Sequence, residues 1–570
     1  MSSRLFALDG FVGETWLDHV DEEGIFNPNF GNGSKGNPWK IRSAQGLAYL
    51  AYMVKEGNTY EGMYFEINAN INLANPGTTW VWVPIGLDKN HPFKGTLTNG
   101  TDNEGNPYVI SGMTIRANGT GTTQNFGLFG VLQGTVEGLV VKNSEININT
   151  TDQFFAGIIC GQLGSSLANE EYGSVLRCTT EGSTIVASSA TLDTSVGGLI
   201  GLVLNCSQVQ SNLAKTTMMR VAGPICAGGV FGEVAANKQL VDCHAVVTMN
   251  VRNETGNQAS AGGITGCCFG SSFEKAELQA CTASGDIEVS GDGSKVILGG
   301  ITGYVNYMQK LSYCTTSVSL SGGHTMGGLI GLYDNMQNAT SAGIHQCFCA
   351  SFVDAKKATY AGGLFGHLSF FRTYSGNYSV GIIATQTFTT FVGTMTKPDD
   401  LDARYGIIVG FVENDQQPDN FGYFRYDSQM CNLQLNGMGW NSNRWSTSSD
   451  YRLINTFESP KPQELYLHLN GDQPFFTANM KVACAPFIVT NDYKTYFNAY
   501  DVTIDFLVEK FLNRTTGEEL ATFQLASPAP SCVKLIDNKV KLLDPGEATV
   551  IVNCRGLQRK VHLDITYGIP

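Results

Sequence analysis

The densest group of side chains able to do acid–base chemistry is the stretch KPDDLD, with Asp399, Asp400 and Asp402. Glycoside hydrolysis needs two carboxyl groups about 5 to 10 Å apart, and such a cluster could supply them or hold calcium; a solvated loop is the default reading. DNEGN, Asp102 to Asn106, has the oxygen-rich composition of a calcium loop but lacks the regular donor series and the closing bidentate Glu, so it reads as a turn. The eight histidines are scattered, with no His-Glu-x-x-His pattern and no zinc spacing with cysteine. Cys267-Cys268 and Cys347-Phe348-Cys349 are not metal-knuckle spacings, and strand alternation would turn one member of each set outward.

No phosphate loop, nucleophile elbow or kinase signature is present. These readings predict no catalytic, cofactor-binding or metal-ligating set, and hence a chain that is not an enzyme. A glycan lyase or hydrolase is the enzymatic alternative. The aromatic candidates for stacking on sugar rings or packing on a partner are Phe370, Phe371, Tyr307, Trp440 and Trp445. Each could equally pack beneath a turn.

What must position any such residues is a repeat. SVGGLIG, ending at Gly201, returns as NFGLFG (Gly130), FAGIICG (Gly161), CAGGVFG (Gly232), SAGGITG (Gly266), LGGITG (Gly303), MGGLIG (Gly331), AGGLFG (Gly366) and YGIIVG (Gly410). The nine phrases lie 28 to 44 residues apart, which suits one supersecondary unit per repeat. Before many of them comes an alternating segment with cysteine in one slot: Cys178, Cys243, Cys281, Cys314 and Cys347, with Asn212 standing in the same slot. Period-two alternation, rich in Val, Ile and Thr and punctuated by Gly, Asn and Ser, predicts short strands joined by tight turns.

A repeat of two to four short strands cannot bury its own apolar face, so successive repeats must stack as coils of parallel strands. The paired glycines would permit either a corner with positive φ or a backbone approach that a Cβ would block. Leu199 and Ile200 would lie inside, and the slot cysteines would form a buried ladder. Their parallel Cβ vectors disfavour disulfides between neighbours.

Composition agrees with a folded, repetitive chain: 42% hydrophobic, 15% charged, and 66 glycines against 17 prolines. A net charge of −14 without basic runs argues against nucleic-acid binding. Asp9, Glu14 and Asp18 interrupt any secretory h-region, and no apolar run reaches the roughly 18 residues of a membrane helix. One helix is predicted, from an N-cap at Ser43 to Gly57, with Leu47, Leu50, Ala51 and Val54 on one face. It would cover the first open end of the stack.

The run PWKIRSAQGLAYLAYMVKEGNTYEGMYFEINANINL, followed by WVWVPIG, PFKGTL, ISGMTI and NFGLFG, resembles the N-terminal part of GLUG-motif β-solenoid proteins, frequent among gut Bacteroidota surface proteins. The glycine phrases and the cysteine strands resemble that family's signatures over about residues 39 to 435. Departures are Asn212, the single glycines of FAGIICG and YGIIVG, and an irregular stretch near TYSGNYSVGIIATQTFTTF. Toward the end, LLDPGEATVIVNCRG and VHLDITY resemble bacterial immunoglobulin-like modules.

The expected architecture is therefore all-β: an N-terminal arm (1–38), a capping helix and first coils (39–125), a GLUG-repeat parallel β-solenoid (126–450), a connection or C-terminal cap (451–484) and an Ig-like β-sandwich (485–570). The resemblance implies a non-enzymatic adhesin or structural protein at the bacterial surface, recognising a glycan or protein ligand, without cofactor, nucleic acid or transmembrane segment. The alternatives are a virion fibre of a phage infecting such bacteria, which would be trimeric, and a polysaccharide-active enzyme on the solenoid face.

Overall fold

The computed structural model describes residues 10–74, 80–118, 125–165, 172–235, 239–269, 276–306 and most of 310–369, then separate strand segments between 390 and 566. It is an all-β parallel solenoid of about eight turns with very little helix. The chain divides into two compact units, Met1–Gln279 with Ile287–Leu298 and Thr302–Gln309, and Ala280–Asp286 with Gly299–Ile301 and Lys310–Pro570.

In the first unit the coil has four faces. Face one stacks Trp39–Ile41, Tyr64–Ile67, Thr96–Asn99, Thr135–Glu137, Ser174–Leu176, Gln208–Gln210, Gln239–Val241 and Glu277–Gln279, each parallel to the next. Its register sets Phe65, Leu97, Val136, Val175, Val209, Leu240 and Leu278 in one buried column. Each such side chain contributes about 2 kcal/mol by leaving water. Face two includes Thr114–Asn118, Glu145–Asn149, Thr184–Ser188, Leu213–Ala222 and His244–Arg252. Face three holds the strands that open each glycine phrase, such as Thr194–Gly197, Ile225–Gly228 and Ala259–Gly262. Face four holds those that close it, such as Ile200–Val203, Phe231–Val234, Thr265–Phe269 and Thr302–Asn306.

The choice left open for the glycines is decided by sterics. Among the described residues none of the phrase glycines has a left-handed φ. Instead, a Cβ on Gly197 would overlap the carbonyl oxygen of Ile200, one on Gly201 would lie 2.5 Å from Ala156 N, and one on Gly232 2.5 Å from Val196 N. Faces three and four thus approach closer than any side chain permits. Positive φ belongs to other corners: Arg177, Ser211 and Asp242 each take it immediately before the slot residue, and Gly138 takes it before Leu139.

The slot is a buried ladder, as expected. Cys178 and Cys243 are fully buried, and each thiol donates to the carbonyl two residues earlier, at 3.4 Å. Burial pushes the Cys178 thiol up to about 12. Asn212 keeps the slot by bringing its own partners: its Oδ1 accepts from Cys178 N at 2.9 Å and its Nδ2 donates to Val175 O at 2.9 Å.

Helix Ala44–Lys55 forms where expected, with the Ser43 hydroxyl accepting from Gly46 N at 3.1 Å and Leu47, Leu50, Ala51 and Val54 buried. The N-terminal arm docks on its own unit. Val12 N bonds Arg116 O, Asn118 N bonds Gly10 O, and the buried Trp16 donates from Nε1 to Leu73 O at 3.2 Å.

In the second unit the parallel stack holds Lys310–Ser312 with Gly343–His345, Thr315–Ser321 with Phe348–Cys349 and Phe352–Asp354, Thr325–Gly327 with Tyr360–Gly362, and Ile330–Asp334 with Phe365–Leu368. Its slot cysteines Cys281, Cys314 and Cys347 are also fully buried. Toward the C-terminus the pattern changes to antiparallel pairs, chiefly Gly546–Cys554 with Leu557–Thr566 and with Thr522–Leu525, and Val533–Ile536 with Lys539–Leu542.

Two substitutions test the stack. Gly232→Ala must displace backbone on face three and is expected to destabilise by about 3 kcal/mol, whereas Gly36→Ala, with open space around its added Cβ, stays within about 0.5 kcal/mol. Asn212→Ala strands the Cys178 amide and loses about 2 kcal/mol. Denaturant midpoints of the purified variants measure all three.

Candidate functional site

Three groups of side chains in the first unit could bind or react. The first is the exposed side of face two. Inward residues Ile146, Ile148, Met219, Val221, Met249 and Val251 are buried, so alternation turns Asn147, Asn149, Arg220, Thr248 and Arg252 to solvent, where they are exposed. The register places Asn147 two coils from Arg220 and Arg220 beside Asn250. Neighbouring coils stand about 4.8 Å apart and alternate residues about 7 Å apart, so amides, guanidinium groups and hydroxyls recur along this side, interrupted by Val186, Ala222 and the exposed Met218, and Arg252 is held by Glu254 at 2.8 Å. Along one edge Lys142, Glu181 and Lys215 alternate in sign, with Glu181 Oε2 at 2.8 Å from Lys142 and Oε1 at 3.4 Å from Lys215. The hydrogen bond from Lys142 leads in lowering the Glu181 pKa. Stacking identical residues in register would instead place like charges one strand apart.

The second group is Ser211, Asp242 and His244. Ser211 Oγ donates to Asp242 Oδ2 at 2.8 Å, and His244 Nε2 lies 2.8 Å from Asp242 Oδ1. The carboxylate stands between the hydroxyl and the imidazole. A nucleophile–base–orienter relay needs the imidazole in the middle, so this order braces a corner and does not activate Ser211. The slot alignment of Asn212 with Cys243 already implied that Ser211 would lie beside Asp242.

The third group lies in the seam between faces three and four. Ser195 Oγ donates to Glu233 Oε2 at 2.8 Å. One coil further, the equivalent positions are Cys226 and Cys267, joined by a disulfide with Cα atoms 5.6 Å apart. Continuing the register, Phe155 with Leu202 and Ser260 with Tyr304 occupy the rungs on either side. Burial raises the Glu233 pKa from 4.5 to about 7; the Ser195 hydrogen bond opposes this, and the charge of Asp193 adds to it. Ser195 is fully buried, which leaves its hydroxyl no path to a substrate in this conformation. The seam was not read from the sequence, although its signal is regular: one partner lies two residues before the first phrase glycine, the other just after the last.

Of the residues singled out in the sequence, Asp399, Asp400, Asp402, Tyr307, Phe370, Phe371, Trp440 and Trp445 lie outside the described residues. Asp102 accepts from the amides of Glu104 and Asn106, both at 2.9 Å, which makes the DNEGN segment a self-bonded turn. The cysteine expectation is corrected: Cys267, Cys268, Cys347 and Cys349 are all buried, because the outward member of the first pair is covered in the seam and both members of the second face the interior. Among the described residues no group of three or more His, Cys, Asp or Glu is arranged to hold a metal ion.

No protein-family model matches the chain, and no curated protein does. A solved structure to which it is similar is described as "a putative immunoglobulin A1 protease from Bacteroides ovatus", at 16% identity and a TM-score of 0.36, covering 64% of this chain and 86% of that one. A likeness of that degree carries no argument about chemistry. The expectation of a chain that is not an enzyme is nevertheless withdrawn, since a similar structure bears a protease description. The physical reason is register: it joins residues a whole coil apart, as in Ser211 with Asp242 and Ser195 with Glu233, so the lack of a linear catalytic motif excludes nothing.

Glu233 predicts a pH effect of defined sign. Below pH 4.5 its carboxyl is protonated in both folded and unfolded chains; between 4.5 and about 7 only the unfolded chain ionises, so stability falls as pH rises. Glu233→Gln is therefore expected to match the wild type at pH 4 and exceed it by about 3 kcal/mol at pH 8, read from denaturant midpoints at the two pH values.

Proposed function

We propose that the chain is a surface-displayed β-solenoid that binds a glycan through the polar side of face two, in the manner of the GLUG-type proteins its repeats resemble. The observation that carries this reading is the exposed set of Asn147, Asn149, Arg220, Thr248 and Arg252 on one side of face two. Planar amides and guanidinium groups at regular spacing can meet successive hydroxyls of a polysaccharide, and charge-assisted donors strengthen such bonds. The Cys226–Cys267 disulfide supports an oxidising location outside the cytoplasm. In this reading helix Ala44–Lys55 covers the first end of the stack, and the antiparallel strands toward the C-terminus belong to an immunoglobulin-like module.

Screening the full chain on an array of host, dietary and bacterial glycans tests the reading. Binding to at least one polysaccharide is expected, weakened about tenfold or more by Asn147→Ala with Arg220→Ala. No retained glycan, or equal retention by the double variant, would sink the reading. Non-reducing peptide mapping of protein recovered from the cell exterior is expected to yield a peptide pair linked through Cys226 and Cys267.

A further inference from the structure

We propose that Lys40 and Asn68 condense into a side-chain amide that ties the first strand of the stack to the second, with Glu66 moving the protons and Arg42 holding the carbonyl. The four residues share the outer side of face one. Register sets Lys40 opposite Glu66, Asn68 N bonds Ile41 O at 2.8 Å, and the alternating Ile41 and Ile67 are buried. Lys40 Nζ donates to Glu66 Oε1 at 2.5 Å, and Asn68 Nδ2 donates to the same oxygen at 3.2 Å. One carboxylate oxygen thus holds both the attacking amine and the group that leaves.

The carbonyl of Asn68 is held from another direction. Its Oδ1 accepts from Arg42 Nε at 3.1 Å, and the guanidinium of Arg42 lies 4.1 Å from the centre of the Phe30 ring. A cationic donor fixed there meets the charge that develops on the oxygen during attack. The Lys40 and Glu66 side chains are only 23% and 22% exposed. Gly100 in the next coil covers part of the carboxylate, since a Cβ on it would lie 3.1 Å from Glu66 Oε1 and 3.4 Å from the Tyr108 ring. Lys40 and Asn68 are diagonal neighbours with Cα atoms about 8 Å apart, a span that the joined side chains cover with slack.

The bond that forms joins Lys40 Nζ to Asn68 Cγ, and the bond that breaks joins that carbon to Nδ2. Nζ passes one proton to Glu66, attacks, and gives up a second; both reach Nδ2, which departs as ammonium. Glu66 ends as it began, and nothing is oxidised or reduced. The ion pair of Lys40 with Glu66 is the first state of this sequence, and because each chain reacts once, a slow step is tolerated. Among the described residues Trp39–Ile41 ends its sheet, with Tyr64–Ile67 as its neighbour. A covalent tie there holds the strand with the fewest partners, and reducing agents do not undo it.

Mass spectrometry of the full-length, reduced chain tests this. The wild type is expected to be lighter by one ammonia and to yield a branched peptide joining Lys40 to Asn68. Lys40→Arg, which keeps the charge opposite Glu66 but removes the amine, is expected to keep its full mass and give no branch. Glu66→Gln and Arg42→Ala are each expected to slow linking about a hundredfold, followed as the linked fraction against time after synthesis. Cooperative denaturant unfolding of each variant separates lost chemistry from a lost fold. The proposal is overturned if the wild type held at neutral pH keeps its full mass, if the ammonia loss maps to other residues, or if Glu66→Gln links as fast as the wild type.

Discussion

Everything in the solenoid follows from two backbones lying closer than a methyl group would permit. On faces three and four, phrase glycines press against the peptide groups of the neighbouring strand, and a Cβ at Gly197, Gly201 or Gly232 would overlap backbone atoms that cannot rotate away. Flexible side chains can yield to an intruding atom; a hydrogen-bonded peptide in a stack cannot. That is why the same phrase recurs, while the strands between phrases keep only their alternation and their buried positions.

Close approach has a chemical consequence. It brings side chains flanking the glycines within bonding reach across the seam, and the register makes each rung a variation on its neighbour: hydroxyl with carboxyl at Ser195 and Glu233, then sulfur with sulfur at Cys226 and Cys267. In the second unit the equivalent phrase positions carry rings, with Tyr360 stacked on Phe411 at 5.2 Å and His367 4.8 Å from Phe411. One scaffold therefore holds a covalent link, a titratable bond and aromatic packing at equivalent positions. By contrast, the corner between faces one and two is set by a single left-handed residue, and Arg177, Ser211 and Asp242 accept that conformation where Gly138 adopts it without strain.

Period-two alternation and the spacing of the glycine phrases made the parallel stack legible, and the N-cap at Ser43 with its apolar stripe made the helix legible. The slot pattern placed Cys178, Asn212 and Cys243 together inside, because burial of a repeated position depends only on strand parity. What stayed hidden depended on neighbours across coils. The positive φ of Arg177 and Asp242 leaves no mark in residue type. The Cys226–Cys267 link joins different phrase positions in successive coils, which a search along one column misses, and the protonation of Glu233 depends on burial that sequence does not state. The aromatic candidates were chosen because their rings could stack on sugars or pack on a partner, and ring type says nothing about which side of a coil a ring occupies.

The phrases return at intervals of 28 to 44 residues, yet the phrase strands of the first unit keep the same register from coil to coil, while between phrases the pairing of Leu213–Ala222 with His244–Arg252 shifts register between Lys215 and Thr217. Extra length is thus taken up between strands, where lengthening a loop adds little entropy. Inside a phrase the tolerance vanishes: one inserted residue would invert the parity of the positions after it in that strand, exchanging Glu233 in the seam with the buried Val234. A longer loop or an added whole coil leaves the stack intact, whereas a single residue inserted within a glycine phrase does not.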